Sequence, residues 1–181
     1  MYSSEKILQE ICYLLSLNNG KLNLLKLIKE LYLIDRLSIE ERDTSLSGDV
    51  YFSLPHGPVL SSTLDMLNDL QYKNNNNIWN NFLLSKKSRQ DYYPNIILKK
   101  EISYDRLSKK DKEYIEKISK SFYSTAPYEL ERYTHTLPEW EDPKGSCKKI
   151  KFKTIMLALG KSEDEITVAK QEYDDINRLR N

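Results

Sequence analysis

The chain contains two histidines, His56 and His135, and both lie in irregular, proline-containing stretches. A group of acidic residues that begins at Glu139 follows the second histidine. Two imidazoles and a carboxylate are a common ligand set for zinc and other transition metals. A metal-dependent enzyme using His56 and His135 is therefore one hypothesis. It requires the two stretches to converge, because neither has the ligand spacing of a site on a single element.

The sequence lacks the familiar catalytic signatures. It has no G-x-S-x-G, no P-loop, no dinucleotide-binding glycine pattern and no H-E-x-x-H. The alternative role for His56 and His135 is to hydrogen-bond their corners closed, because buried backbone groups in rigid corners need partners. Trp140 is either a core side chain beneath the second corner or a partly exposed interface anchor. We expect no enzymatic activity, no cofactor and no bound metal.

Composition limits the classes of partner. The 181 residues include 28 basic and 27 acidic side chains, giving a net charge of +1. This balance argues against a protein that mainly neutralises nucleic-acid phosphates. Cys12 falls on an apolar helix face, which predicts a buried thiol, and its separation from Cys147 fits neither a zinc motif nor a disulfide framework. Because no membrane-length apolar stretch or signal-peptide layout is present, we expect a cytoplasmic protein without membrane contacts.

Hydrophobic periodicity predicts a mainly α-helical (α+β) fold. The helices are expected at about 4–17, 21–38, 58–71, 108–123, 128–135 and 150–159, with a last helix after a Ser162–Glu165 capping box. Ser3 or Ser4 is expected to cap the first helix, and Ser108 and Asp111 form a capping-box-like start for the central helix. Alternating apolar and polar residues over 78–101 predict a small β-hairpin between the third helix and the central helix. The expected architecture is a compact domain of about six to seven helices with that hairpin.

The last helix carries a narrow apolar stripe. Its members recur three and four residues apart at Ile166, Ala169, Tyr173 and Ile176. The stripe either packs on the body of the protein or meets a partner helix, and we favour packing on the body. The expected organisation is one domain over 1–165, with a C-terminal helix over 162–181 packed on it.

The second helix contains a polar residue where an apolar one is expected. Placed at 100° per residue, its leucines and isoleucines form one arc, and Asp35 lies about 20° from Leu24 within that arc. Four charged side chains of this helix are expected on the opposite, solvent-facing side: Lys26, Lys29, Glu30 and Arg36. A buried carboxylate needs partners. Asp35 therefore fixes a neighbouring loop, lies at an exposed helix end, or anchors a binding cleft.

The stretch 48–62 separates two helical patterns and resembles neither. Val50-Tyr51-Phe52 has strand-like composition. Pro55 restricts the backbone, Gly57 can adopt a positive φ, and Pro58 suits the first turn of a helix. We predict that this stretch packs against the second helix near Asp35, whose carboxylate would accept hydrogen bonds from the loop backbone or from His56.

Four segments stand out. They are K-L-N-L-L-K-L-I-K-E-L-Y-L-I-D-R, L-S-G-D-V-Y-F-S-L-P-H-G-P-V, L-S-K-K-D-K-E-Y-I, and E-L followed by T-H-T-L-P-E-W. Together they resemble the Panacea domain of the SocA-like antitoxin family, whose pattern T-G-D-x-Y-x-x-x-x-H-G-P-V is met here with Ser47 in place of threonine. The resemblance extends from the first helices to about residue 165.

The resemblance implies a mostly α-helical antitoxin of bacterial, phage or prophage toxin–antitoxin pairs. Such a protein neutralises a cognate protein toxin by direct, chaperone-like contact, with a protease or chaperone as a further candidate partner. It supplies no catalytic residues to transfer to this chain. The alternatives are an adaptor that delivers a partner to a protease, the metal-dependent enzyme described above, and DNA binding. The residues expected to have structural or partner-surface roles are Asp35, Tyr51, His56, Gly57, Pro58, His135, Glu139 and Trp140.

Overall fold

The computed structural model describes residues 2–70 and 78–178. Within them the fold is mainly helical, with seven α-helices and two three-stranded antiparallel sheets, which confirms the predicted fold class. The helices are α1 Ser4–Leu17, α2 Leu24–Arg42, α3 Ser61–Asp69, α4 Lys109–Phe122, α5 Pro127–His135, α6 Phe152–Ala158 and α7 Glu163–Arg178. The strands are β1 Lys21–Asn23, β2 Tyr51–Leu54, β3 Gly57–Leu60, β4 Leu83–Lys86, β5 Asn95–Leu98 and β6 Lys148–Ile150.

Helix α2 is the centre of the fold. Every residue from Leu24 to Ile39 is buried except Arg36, because β3, α4, α5 and α6 all pack on this helix. The expectation that Lys26, Lys29 and Glu30 face solvent is therefore wrong. A polar stripe on a helix predicts exposure only when water, and not protein, covers that side.

The predicted hairpin is confirmed as β4–β5, between α3 and α4. Strand β1 pairs with β5 and completes the first sheet, in the order β1-β5-β4. The predicted start of the second helix at Lys21 is too early. The side chain of Asn23 accepts a hydrogen bond from the Leu25 backbone at 3.0 Å, and this cap sets the helix start at Leu24.

The second sheet has the order β3-β2-β6 and contains the strand-like 50–52 run. Pro58 lies in β3, so the prediction that it opens a helix is wrong, and α3 begins at Ser61. Strand β3 is an edge strand, where a residue without a backbone N–H is tolerated. Ile150 pairs with Tyr51 in β6, so the next helix begins at Phe152 and not at Ile150.

The predicted caps are present at several helix ends. The Ser3 side chain caps α1, and Ser108 and Asp111 form the capping box of α4. The Ser162 backbone and side chain both donate to Glu165 before α7. The Cys12 thiol is buried, as expected, and burial raises its pKa to about 12. Among the described residues, no helix combines the length and apolarity needed to cross a membrane.

The start of α7 packs on the body, since Ile166 and Ala169 are buried. The side chains of Tyr173 and Ile176, the other members of the predicted stripe, lie outside the described part of the chain. The division into 1–165 and 162–181 stays a prediction.

Candidate functional site

Asp35 fixes the loop that precedes β2, and we call this contact set the loop anchor. The carboxylate is fully buried and accepts hydrogen bonds from the backbone of Leu46 at 3.0 Å and of Ser47 at 2.8 Å. The hydroxyls of Ser45 and Tyr51 each donate to Oδ2 at 2.9 Å, and the Ser47 hydroxyl donates to the same atom. The predicted contact with the loop backbone is confirmed.

A second carboxylate in this loop, Asp49, caps α3. Its oxygens accept from the backbone of Ser62 at 3.1 Å and from the backbone and hydroxyl of Thr63 at 2.8 and 2.7 Å. The N-cap residue, Leu60, cannot do this because its side chain is apolar. Sequence reasoning missed this role because Asp49 lies more than ten residues before the amides it caps. The Gly48-Asp49 pair before β2 was the sequence feature that could have indicated this cap.

The turn between β2 and β3 packs directly on the end of α5. Gly57 has φ +95°, and a Cβ there would lie 2.8 Å from Thr134 Oγ1, 2.9 Å from Lys29 Nζ and 3.1 Å from His135 Cδ2. Glycine is therefore required both for its backbone conformation and for this close approach. We call the contact between 53–58 and 134–141 the corner clasp.

Trp140 closes the corner clasp from the other side. Its indole Nε1–H donates to the Leu54 carbonyl at 3.2 Å, and its ring stacks on His135 with centroids 4.2 Å apart. The Glu141 backbone donates to Ser53 Oγ at 3.3 Å. His135 Nε2 is buried without a hydrogen-bond partner within residues 2–70 and 78–178, and burial lowers the pKa of this histidine.

Glu139 joins the corner clasp to α2. Its Oε1 atom accepts from Tyr32 at 3.0 Å and from Arg36 Nε at 2.7 Å, and its side chain is inaccessible to solvent. Burial, with the nearby Glu139 charge, raises the pKa of Tyr32 well above its usual value. The second oxygen, Oε2, has no hydrogen-bond partner in the described part of the chain.

Lys29 lies beneath the clasp and is fully buried. Its ammonium donates to the Pro58 carbonyl at 3.0 Å, and burial lowers its pKa to about 7. The next residue, Glu30, is also fully buried, and burial raises its pKa to about 7. The Lys26 ammonium lies 3.8 Å from Glu30 Oε1, beyond hydrogen-bond distance, and donates to three backbone carbonyls between 122 and 125.

The two histidine corners do converge, but the histidines have different surroundings. His56 Nδ1 lies 2.7 Å from Glu131 Oε1, and 56% of the His56 side chain is exposed. Of the two donors considered for Asp35, the loop backbone is the one observed, and His56 does not contribute because the turn carries it to the surface. Among the side chains that the structure describes, no group of three or more His, Cys, Asp or Glu is placed to hold a metal ion.

The eight candidate residues therefore fall into a buried set and a surface set. Asp35, Tyr51, Gly57, Pro58 and Glu139 are buried. His135 and Trp140 are half-buried, and His56 is exposed. The buried set determines the shape of the corner, and the surface set is what another molecule can reach.

Comparison with family sequence models gives one match, to the SocA-like antitoxin family, Panacea domain, over residues 27–141. Comparison with curated proteins gives no match, and comparison with solved structures gives none either. The matched residues include the loop anchor and the clasp residues up to Glu141. The match covers more than half of the 181 residues. The chain belongs to the SocA-like antitoxin family and contains its Panacea domain.

Proposed function

We propose that this protein is an antitoxin that neutralises a cognate protein toxin by direct binding. Membership of the family supports an antitoxin role in general. The observation that carries the proposal is that the family match encloses both the loop anchor and the corner clasp and ends at Glu141, the last clasp residue. A corner held in one shape is useful if its outer surface meets another protein.

The surface set supplies suitable contacts for such a partner. Trp140 and His135 present a stacked pair at the surface, and His56 lies on the same corner. Partly exposed aromatic side chains surrounded by polar groups are typical of interface hot spots. The buried set contributes indirectly, by holding this surface in one shape.

The test is co-expression with the product of the adjacent gene. If that product is toxic, this protein should restore growth and should co-elute with it in size-exclusion chromatography. Trp140→Ala should weaken the complex. Val168→Ala should leave it unchanged, because Val168 is exposed on α7 outside the matched residues.

The half-life of the toxin separates the two modes of neutralisation. Direct binding predicts that the toxin persists in an inactive complex, whereas delivery to a protease predicts that its half-life falls. A toxic neighbour that keeps its full toxicity and forms no complex would refute the antitoxin assignment.

A further inference from the structure

A cavity of about 290 Å³ lies next to the corner clasp, between the 90–93 loop and the start of α5. It is lined by Asn23, Gln90, Asp91, Tyr92, Tyr93, Pro127 and Tyr128. It is continuous with the clasp surface, because the Tyr93 ring meets the exposed ring of His56 edge-on at 6.0 Å. We call it the tyrosine cavity.

The walls are aromatic and partly exposed. Tyr92 is 69% exposed and Tyr128 is 53% exposed, and Tyr92 meets Tyr93 edge-on at 4.9 Å. None of the three phenol hydroxyls hydrogen-bonds to another described residue. Exposed tyrosines of this kind supply contact area at low entropic cost and both donate and accept hydrogen bonds.

The one charged side chain among the described residues that line the cavity is acidic. This lining contains the Asp91 carboxylate and no lysine, arginine or histidine. Asp91 Oδ2 accepts from Ser88 and Asn95, which leaves Oδ1 available. A second carboxylate, Glu131, lies close enough for its charge to add to the effect of burial in raising the pKa of Tyr93 to about 12.

The ring faces also favour positive charge, because an aromatic face carries partial negative charge. Within this chain Lys87 already uses that property, since its ammonium lies 5.9 Å from the centre of the Tyr92 ring at the rim. A planar guanidinium suits the interior better than an ammonium, because it stacks on rings while donating several hydrogen bonds.

We propose that the tyrosine cavity binds an arginine side chain of the toxin. The guanidinium would stack against Tyr92 and Tyr128 and donate to Asp91. The identity of the partner rests on the proposed function, whereas the ligand chemistry of the cavity does not. The two are therefore tested separately.

The first experiment uses the full-length protein and small probes. Ring resonances of ¹³C-labelled tyrosine are followed during titration with N-acetyl-arginine amide, and N-acetyl-citrulline amide serves as a neutral probe of the same shape. The arginine probe should shift the resonances of the three cavity tyrosines. Each lost ring should weaken its binding about twofold to fivefold, as measured with Tyr92→Ala and Tyr128→Ala.

The matched control is Tyr123→Ala, because Tyr123 is 55% exposed but does not line the cavity. Asp91→Asn keeps an oxygen acceptor and removes the charge, so it should weaken the arginine probe and leave the citrulline probe unchanged. Equal binding of the two probes, or arginine-induced shifts that persist in the doubly substituted Tyr92→Ala, Tyr128→Ala protein, would overturn the ligand assignment.

The second experiment uses the toxin itself. Wild-type protein should rescue growth, and the doubly substituted protein should rescue less well at equal expression. If wild type rescues and the substituted protein rescues equally well, the toxin does not use this cavity and the inference is wrong. If wild type fails to rescue while the arginine probe still binds, the proposed function fails and the ligand chemistry stands.

Discussion

The loop anchor and the corner clasp both hold the β2–β3 hairpin against α2, but they do so by different means. At the anchor, Asp35 receives five hydrogen bonds from the preceding loop and from Tyr51. At the clasp, the main contacts are the close fit at Gly57 and the stacking of Trp140 on His135. Buried polar atoms at the clasp, including Glu139 Oε2, lack hydrogen-bond partners in the described residues.

The difference indicates a division of roles. A carboxylate with every donor in place specifies one loop conformation, because each donor would be left buried and unpaired if the loop moved. A contact made by close packing specifies one shape through its fit, so it is sensitive to added volume. The anchor therefore fixes the loop through hydrogen bonds, and the clasp fixes the corner through packing.

The largest effect is expected at the anchor. Asp35→Ala leaves the buried backbone N–H groups of Leu46 and Ser47 without acceptors, and each unpaired group costs about 1–3 kcal/mol. We expect the free energy of unfolding to fall by about 3 kcal/mol or more, measured by urea denaturation followed by circular dichroism.

The control for this change is Glu30→Gln in the same helix. Glu30 is equally buried but has no hydrogen-bond partner in the described part of the chain, and Lys26 keeps its three backbone acceptors. Glutamine keeps the size of the side chain and replaces a carboxyl that burial already shifts towards its neutral form, so the free energy of unfolding should change by less than about 1 kcal/mol. Equal losses from the two substitutions would show that burial alone, and not hydrogen bonding, separates the anchor from the rest of α2.

At the clasp, Gly57→Ala tests the close approach. The added Cβ would meet Thr134 Oγ1 and Lys29 Nζ at less than 3 Å, in addition to the strain of a positive φ. We expect a loss of about 2–4 kcal/mol in the free energy of unfolding. Gly145→Ala is the matched control, because Gly145 has φ +84° with open space around it. It should lose only about 1 kcal/mol, and equal losses would remove the packing argument.

Sequence reasoning recovered the elements whose signals are local. The caps at Ser3, Ser108 and Ser162 and the β4–β5 hairpin were predictable because the determining residues lie within a few positions of one another. Asp35 was also predictable, because one charge within an apolar arc requires partners. The positive φ of Gly57 was anticipated because glycine adopts it at little cost.

The remaining features depend on which helices and strands pack over a given residue. Lys29 and Glu30 lie on the polar side of α2, and nothing in their spacing reveals that β3 and α4 bury them. Pro58 reads as a helix start in isolation, and only its pairing with Ser53 places it in a strand. The capping of α3 by Asp49 and the stacking of His135 on Trp140 likewise depend on long-range or corner geometry that periodicity does not encode.

The loop anchor and the corner clasp also differ in how their buried ionisable groups change stability with pH. Burial lowers the pKa of Lys29 from 10.5 to about 7, so the folded state binds fewer protons than the unfolded state between pH 7 and 10.5. Stability from this group therefore rises with pH over that window. Between pH 7 and 9 we expect Lys29 alone to add about 1 kcal/mol or more, and the buried carboxyls of Glu30 and Glu10, whose pKa values burial raises, to offset part of it.

Lys29→Met removes the titrating group and keeps most of the stem, so it should flatten this dependence. Urea midpoints of the two proteins at pH 7 and pH 9 measure the effect. Asp35 acts in the opposite direction, because burial raises the pKa of its carboxyl and the stability from such a group falls as the pH rises. The same change in midpoint between pH 7 and 9 in wild type and in Lys29→Met would contradict the shifted pKa of Lys29.

The smallest effect on stability is expected at the outer edge of the clasp. The His56–Glu131 pair is short, at 2.7 Å, but more than half of the His56 side chain is exposed, and exposed ion pairs contribute little because water screens them. His56→Ala should therefore change the free energy of unfolding by less than about 0.5 kcal/mol, while weakening co-elution with the toxin. Trp140→Phe is the companion variant: it loses the indole hydrogen bond to Leu54 but keeps a ring against His135, so it should cost about 1 kcal/mol. If His56→Ala destabilises the protein as much as Trp140→Phe, His56 helps to hold the clasp together. It would then belong with the buried set of residues and not with the surface set.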